Sequence, residues 1–256
     1  MSYLWRPMPY KAIRKSELLK IGANDVATGI SAFKVFLIIC CKSEMDKELG
    51  MVARLTYSDF ESMCNMSRAM ISKGVKKLEE AGVVSRLGGH KNKYQLLTLS
   101  RKGEETPFSI GSGGWCKIPI KPFTDDGDIQ LFEGISNRGV KDLDALKLFV
   151  YLLSVRSKGE AFVRVGINKI CLATNLSERR LIAALNHMRS LGLVFFMRFL
   201  VGNVPYPSFD LLFLDGGLAC SPKVEILFSG WEYLEWSKTD DSSSAIRYVQ
   251  REILNV

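Results

Sequence analysis

Met66-Ser-Arg-Ala-Met-Ile-Ser-Lys-Gly-Val-Lys-Lys-Leu-Glu-Glu-Ala-Gly-Val-Val84 aligns without a gap on Leu176-Ser-Glu-Arg-Arg-Leu-Ile-Ala-Ala-Leu-Asn-His-Met-Arg-Ser-Leu-Gly-Leu-Val194, 110 residues further along the chain. An internal repeat of this kind fixes architecture before any local assignment. Ile71, Val75 and Leu78 match Leu181, Leu185 and Met188, and their spacing of four then three makes one apolar helical stripe. Ser67 and Ser177 stand where an N-cap belongs, and Gly82 and Gly192 where a left-handed C-terminal residue belongs. Each segment is therefore a helix with a defined start and stop.

The repeat extends outward in both directions. Upstream, Ser31-Ala-Phe-Lys-Val-Phe-Leu-Ile-Ile39 resembles Asp144-Ala-Leu-Lys-Leu-Phe-Val-Tyr-Leu152 at an offset of 113, the three extra residues falling in a loop. The expected order in each repeat is a long apolar helix (about 31–43 and 144–155), a short extended piece (53–55 and 162–165), a short helix (57–64 and 168–173) and the capped helix. After the glycine each repeat runs into β-like sequence that reverses: 83–87, Gly88-Gly89, then 93–99; and 193–201, Gly202-Asn203, then 209–214.

That order resembles the bacterial winged helix-turn-helix, above all in Met66 to Val84 followed by the basic tip Gly88-Gly-His-Lys-Asn-Lys-Tyr94. The resemblance implies an α+β fold, predominantly α-helical, with two tandem winged-helix domains that bind double-stranded DNA. The expected division is an N-terminal basic and aromatic arm (1–30), a first domain (31–102), an acidic linker (103–137), a second domain (138–215) and a C-terminal extension (216–256). Within that extension, apolar residues at helical spacing over 245–254 suggest a helix that packs or dimerises. The arm carries Tyr3, Trp5, Arg6, Lys11, Arg14 and Lys15, residue types that more often anchor an arm to its own domain than lie along DNA. The linker's Gly111-Ser-Gly-Gly114 lacks the Gly-Lys-Ser/Thr of a phosphate loop and reads as a flexible connector.

Charge agrees with a polyanionic partner. The chain carries +8 overall, distributed as +9 over 1–102, −4 over 103–137, +7 over 138–200 and −4 over 201–256. Each Lys or Arg placed on a phosphate releases condensed counterions, so a basic face draws DNA. Projecting the capped helices away from their apolar stripes exposes Ala69, Met70, Lys73, Lys76 and Lys77 in the first repeat. The second repeat gives Arg179, Arg180, Ala183, Asn186 and His187. Lysines make point-charge contacts to phosphate, whereas Arg bridges guanine and Asn bridges adenine, so the second helix is expected to read bases and the first to hold backbone. With Arg68 at the start of the first helix and His90, Lys91 and Lys93 on the first wing, the expected DNA-binding set is Arg68, Lys73, Lys76, Lys77, His90, Lys91, Lys93, Arg179, Arg180, Asn186 and His187.

Other classes find less support. The two histidines, His90 and His187, belong to no catalytic motif, and Asp125, Asp126 and Asp128 lack the downstream glutamate of a calcium loop. Six cysteines without metal-ligand spacing read as small buried hydrophobes in a reducing compartment. No enzyme, cofactor, metal site, secretory leader or membrane span is expected, and the location is cytoplasmic. The layout is similar to plasmid replication initiators, but base rate puts a transcriptional regulator first, an initiator binding origin repeats second and a winged-helix protein scaffold third. The second hairpin, apolar on both faces, requires a cover, supplied by the C-terminal segment or by a second copy of the chain.

Overall fold

A computed structural model describes residues 5–88, 92–120, 132–156, 162–201, 204–206 and 222–229. The fold mixes helix and strand throughout. The chain opens with strand β1 (Trp5–Pro9) and a short helix α1 (Tyr10–Lys15), then enters the long helix α2 (Val26–Lys42). Strands β2 (Glu44–Asp46) and β3 (Gly50–Arg54) lead to α3 (Tyr57–Cys64) and α4 (Arg68–Glu80). Strands β4 (Val84–Arg86), β5 (Lys93–Leu99) and β6 (Glu105–Pro107) complete the first repeat, and β7 (Trp115–Pro119) precedes the second. There α5 (Val140–Val155), β8 (Val163–Gly166), α6 (Ile167–Thr174), α7 (Glu178–Ser190), β9 (Val194–Val201), β10 (Val204–Tyr206) and β11 (Lys223–Phe228) follow the same order.

Local chemistry explains why the helices begin and end where they do. Thr56 and Asp59 close a reciprocal capping box on α3, while Ser67 and Ser177 each accept a backbone N–H from the first turn of α4 and α7. Asn65 and Asn175 turn the chain between the paired helices in the left-handed region, at φ 49° and 52°. Gly82 and Gly192 do the same after α4 and α7, at φ +65° and +69°, where a Cβ would be strained. Burial follows the repeat as well: from 61–80 to 171–190, inside, flank and outside alternate in the same order at all but two positions.

The sheets are built alike and depart from expectation in one strand. In the first repeat the order is β2-β3-β5-β4, with β6 also on β5; in the second it is β10-β9-β11-β8. The strand between β8 and β9 is thus β11, residues 223–228, which the sequence reading assigns to the C-terminal extension. The return strand expected at 209–214 and the helix expected at 245–254 lie outside the described residues. The segment 111–114 is more ordered than a flexible connector: Ser109 and Ser112 bond reciprocally, Tyr10 donates its N–H to the Gly114 carbonyl, and β6 and β7 flank this stretch.

The N-terminal strand is a structural element rather than an arm. β1 pairs antiparallel with β7, and their sequences, Trp5-Arg-Pro-Met-Pro9 and Trp115-Cys-Lys-Ile-Pro119, are themselves repeated at the offset of 110. Pro7 faces its own equivalent, Lys117, and Trp5 stacks on its equivalent, Trp115, at 5.4 Å between centroids. Deeper in, the equivalent lysines exchange partners: buried Lys34 on α2 donates to the Ile135 carbonyl ahead of α5, and buried Lys147 on α5 donates to the Ile21 carbonyl ahead of α2. Contacts that swap in this way mark an approximate twofold relation between the two halves. One apolar core runs through both, with Ile30, Phe33 and Leu37 of α2 and Leu143, Leu146 and Phe149 of α5 fully buried.

Among the described residues one stretch, Ala23–Lys42, is long and apolar enough to cross a bilayer, at mean hydropathy 1.5, but 72% of its apolar window is buried inside the protein. Its apolar surface is therefore spent on the core. The five described cysteines are free, and burial pushes the Cys41 and Cys116 thiols up to about 12 and that of Cys64 to about 11. At neutral pH these side chains are small hydrophobes.

Candidate nucleic-acid interface

α4 rests on α2 through a contact that only glycine allows. A Cβ on Gly74 would sit 2.4 Å from the Ser31 hydroxyl and 2.9 Å from its carbonyl carbon. The Ser31 hydroxyl in turn donates to the Met70 carbonyl at 2.7 Å. With Ile71, Gly74, Val75 and Leu78 turned inward, the outer face carries Arg68, Ala69, Ser72, Lys73 and Lys76. Arg68 lies against Glu61 at 3.1 Å and Lys76 near Glu80 at 3.8 Å, but both cations are well exposed, at 67% and 74%. Such surface pairs are weak and exchange readily for a phosphate.

Beside α4 stands the small sheet. Arg86 on β4 makes a bidentate clamp on Glu79, which ties the strand to the end of α4. Lys93 begins β5 opposite Arg54 of β3, and both flank Asp46, 3.7 Å from Arg54. His90 and Lys91 lie outside the described residues. The first repeat therefore gathers Arg68, Lys73 and Lys76 on one helix face and places Arg54 and Lys93 on the neighbouring sheet.

The second repeat uses its charges differently. Arg179, Ala183 and Asn186 are exposed on α7, as expected. Arg180 and His187 are not free for DNA: Arg180 grips the buried Asp144 with Nε and Nη2 at 2.9 and 2.8 Å, and His187 Nε2 lies 2.7 Å from Asp142. Burial pushes the Asp144 carboxyl up, against the pull of Arg180 and Lys147. On the sheet, Arg164 of β8 and Arg198 of β9 flank the buried Glu225 of β11 from both sides. Arg180, His187, Arg164 and Arg198 are thus all paired with acids of the second repeat's own body.

The helical projection fails at Met70, Lys77, Arg180 and His187, all half-buried, for a common reason. Positions 70, 74 and 77, like 180, 184 and 187, lie on one line along the helix. The middle residue is Gly74 or Ala184, too small to register as an apolar anchor, yet both are buried, and at Gly74 a Cβ would meet Ser31 of the long helix. A signal is present in the comparison of repeats: Gly29 and Ser31 become Asp142 and Asp144 where Met70 and Lys77 become Arg180 and His187. Acids gained on one helix are matched by bases on the other.

Among the described residues no group of three His, Cys, Asp or Glu side chains could hold a metal ion. Comparison with protein-family models, with curated proteins and with solved structures returned no match.

Proposed function

We propose that the chain is a cytoplasmic, non-enzymatic double-stranded DNA-binding protein built from two winged helix-turn-helix modules, acting as a transcriptional regulator. One observation carries the reading: the outward face of α4 presents Arg68, Lys73 and Lys76 around the small Ala69 and Ser72, beside a sheet whose near strands carry Arg54 and Lys93. A helix of this width enters the major groove, and small residues between the cations let its backbone approach the groove floor. The first repeat supplies most of the phosphate contacts. Arg179 and Asn186 remain the base-reading pair of the second.

A second reading, the replication initiator, is favoured by the approximate twofold relation, which pairs the equivalent helices α4 and α7 within one chain. A footprint on DNA from the protein's own replicon separates them. A single protected operator beside a promoter supports the regulator; an array of direct repeats in an A·T-rich region supports the initiator. Failure to protect any duplex leaves the scaffold reading, in which the second repeat, with Arg164, Arg180 and Arg198 paired internally, meets protein.

A further inference from the structure

The link between α3 and α4 is only Asn65, Met66 and Ser67, so the backbone at Asn65 sets the angle at which α4 leaves the body. Asn65 holds φ 49° and ψ 50°, and its N–H closes α3 on the Glu61 carbonyl. Its own carbonyl takes a hydrogen bond at 2.9 Å from the side-chain amide of Asn137. Asn137 belongs to the other half of the molecule, three residues before α5. The oxygen of the same amide accepts from the buried Lys34 ammonium at 2.9 Å, and Lys34 also bonds the Ile135 carbonyl at 2.8 Å.

The Asn137 amide is thus gripped at both ends by groups that fix its orientation, since an ammonium can only donate and a carbonyl only accept. In the second repeat Asn175 adopts nearly the same left-handed turn, at φ 52° and ψ 42°. No side chain among the described residues donates to its carbonyl. Among the described residues, only the turn in front of α4 is tied by such a side-chain bond to the opposite repeat.

From this asymmetry we infer that Asn137 is a positioning residue for DNA binding, lent by the second repeat to hold the angle of the first repeat's reader helix; the inference rests on the DNA reading of α4. Asn137 touches no DNA. It acts through Asn65, with Lys34 as its anchor, and makes the affinity of the first module depend on docking of the second. The same route links α7 to α4, because His187 bonds Asp142, Asp142 bonds Ser136, and Ser136 accepts from the Gly139 N–H in the turn that carries Asn137.

The test uses the full-length chain, a fluorescently labelled mixed-sequence duplex and hydrogen exchange. Asn137→Ala should weaken binding severalfold with a salt slope no steeper than that of the wild type, because the phosphate contacts of α4 are misaligned. Exchange should accelerate at the amides of 65–70. In a double-mutant cycle, Lys73→Ala should cost a smaller factor in the Asn137→Ala background than in the wild type, while Arg179→Ala costs the same factor in both. Asn137→Asp keeps an acceptor for Lys34 but cannot donate to Asn65, so it should bind as weakly as Asn137→Ala and guards against a general loss of fold. Wild-type affinity in either variant, or purely additive cycles for both Lys73 and Arg179, overturns the inference while leaving the DNA reading intact. A wild-type chain that binds no duplex overturns the DNA reading, and the inference with it.

Discussion

The two repeats share backbone order, caps and burial pattern, yet they hold their helices together by different means. In the first, α2 and α4 meet through Ser31 and Gly74, with a hydroxyl-to-carbonyl bond at 2.7 Å and no charge at the contact. In the second, the equivalent positions are Asp144 and Ala184, and a bidentate Arg180–Asp144 pair spans the gap. A helix packed by close approach leaves its cations for the surface; a helix packed by ion pairs uses them up. On the proposed DNA-binding reading, that difference puts the phosphate contacts mainly on the first repeat, although both are basic in composition.

The largest expected effect falls on the charged contact. Asp144→Ala strands Lys147, whose side chain is 1% exposed, together with Arg180, and should cost about 3–5 kcal/mol of stability. The equivalent Ser31→Ala loses one ordinary hydrogen bond, about 1 kcal/mol. Denaturant unfolding of the two variants measures the contrast, and equal losses would break it.

Next in size is the close approach. Gly74→Ala drives a methyl group into the Ser31 backbone and should cost about 1–3 kcal/mol despite the better helix propensity of alanine. Ala184→Gly, at the equivalent site, should cost only about 1 kcal/mol through propensity and lost packing. A Gly74→Ala protein as stable as the wild type would show that α2 and α4 are not held so near.

The exchanged lysines give a pH signature. Burial lowers Lys34 and Lys147 from an ordinary 10.5 to about 8, with Asp144 opposing the shift at Lys147. Between pH 8 and 10.5 the unfolded chain therefore holds protons that the folded chain has released, and the stability these sites carry rises with pH across that window. Below that window the gain is lost. Wild type measured against Lys34→Met should gain stability from about pH 8 to about pH 10; a flat or falling difference would mean that the ammonium is not desolvated.

Much of this architecture is legible in the sequence, because caps and stripes are local. Ser67, Gly82 and the Ile71, Val75, Leu78 series define α4 without any tertiary information, and the same holds for α7. What escapes is non-local. β11 follows a stretch of sequence with no simple hairpin spacing, and the Trp5–Pro9 and Trp115–Pro119 strands are short pieces whose meaning emerges only when they pair. Arg180 and His187 are legible as polar side chains, but nothing local shows that each is already paired, since their partners lie 36 and 45 residues away on α5. Lys73, Lys76, Arg179 and Asn186 stay on the surface because the buried arc of each helix is defined on both sides by neighbours in sequence.

The smallest energies, and the most direct test of the division of labour, lie in DNA binding itself. Affinity for a mixed-sequence duplex is measured against salt for the wild type, for Lys73→Ala with Lys76→Ala, and for Arg179→Ala. Each phosphate contact contributes about 0.9 to the log-log slope, so the lysine pair should lower the slope by about two, whereas Arg179→Ala should leave it nearly unchanged and act instead on base preference. A slope that survives loss of both lysines but falls with Arg179→Ala would contradict the account and move the DNA face to the second repeat.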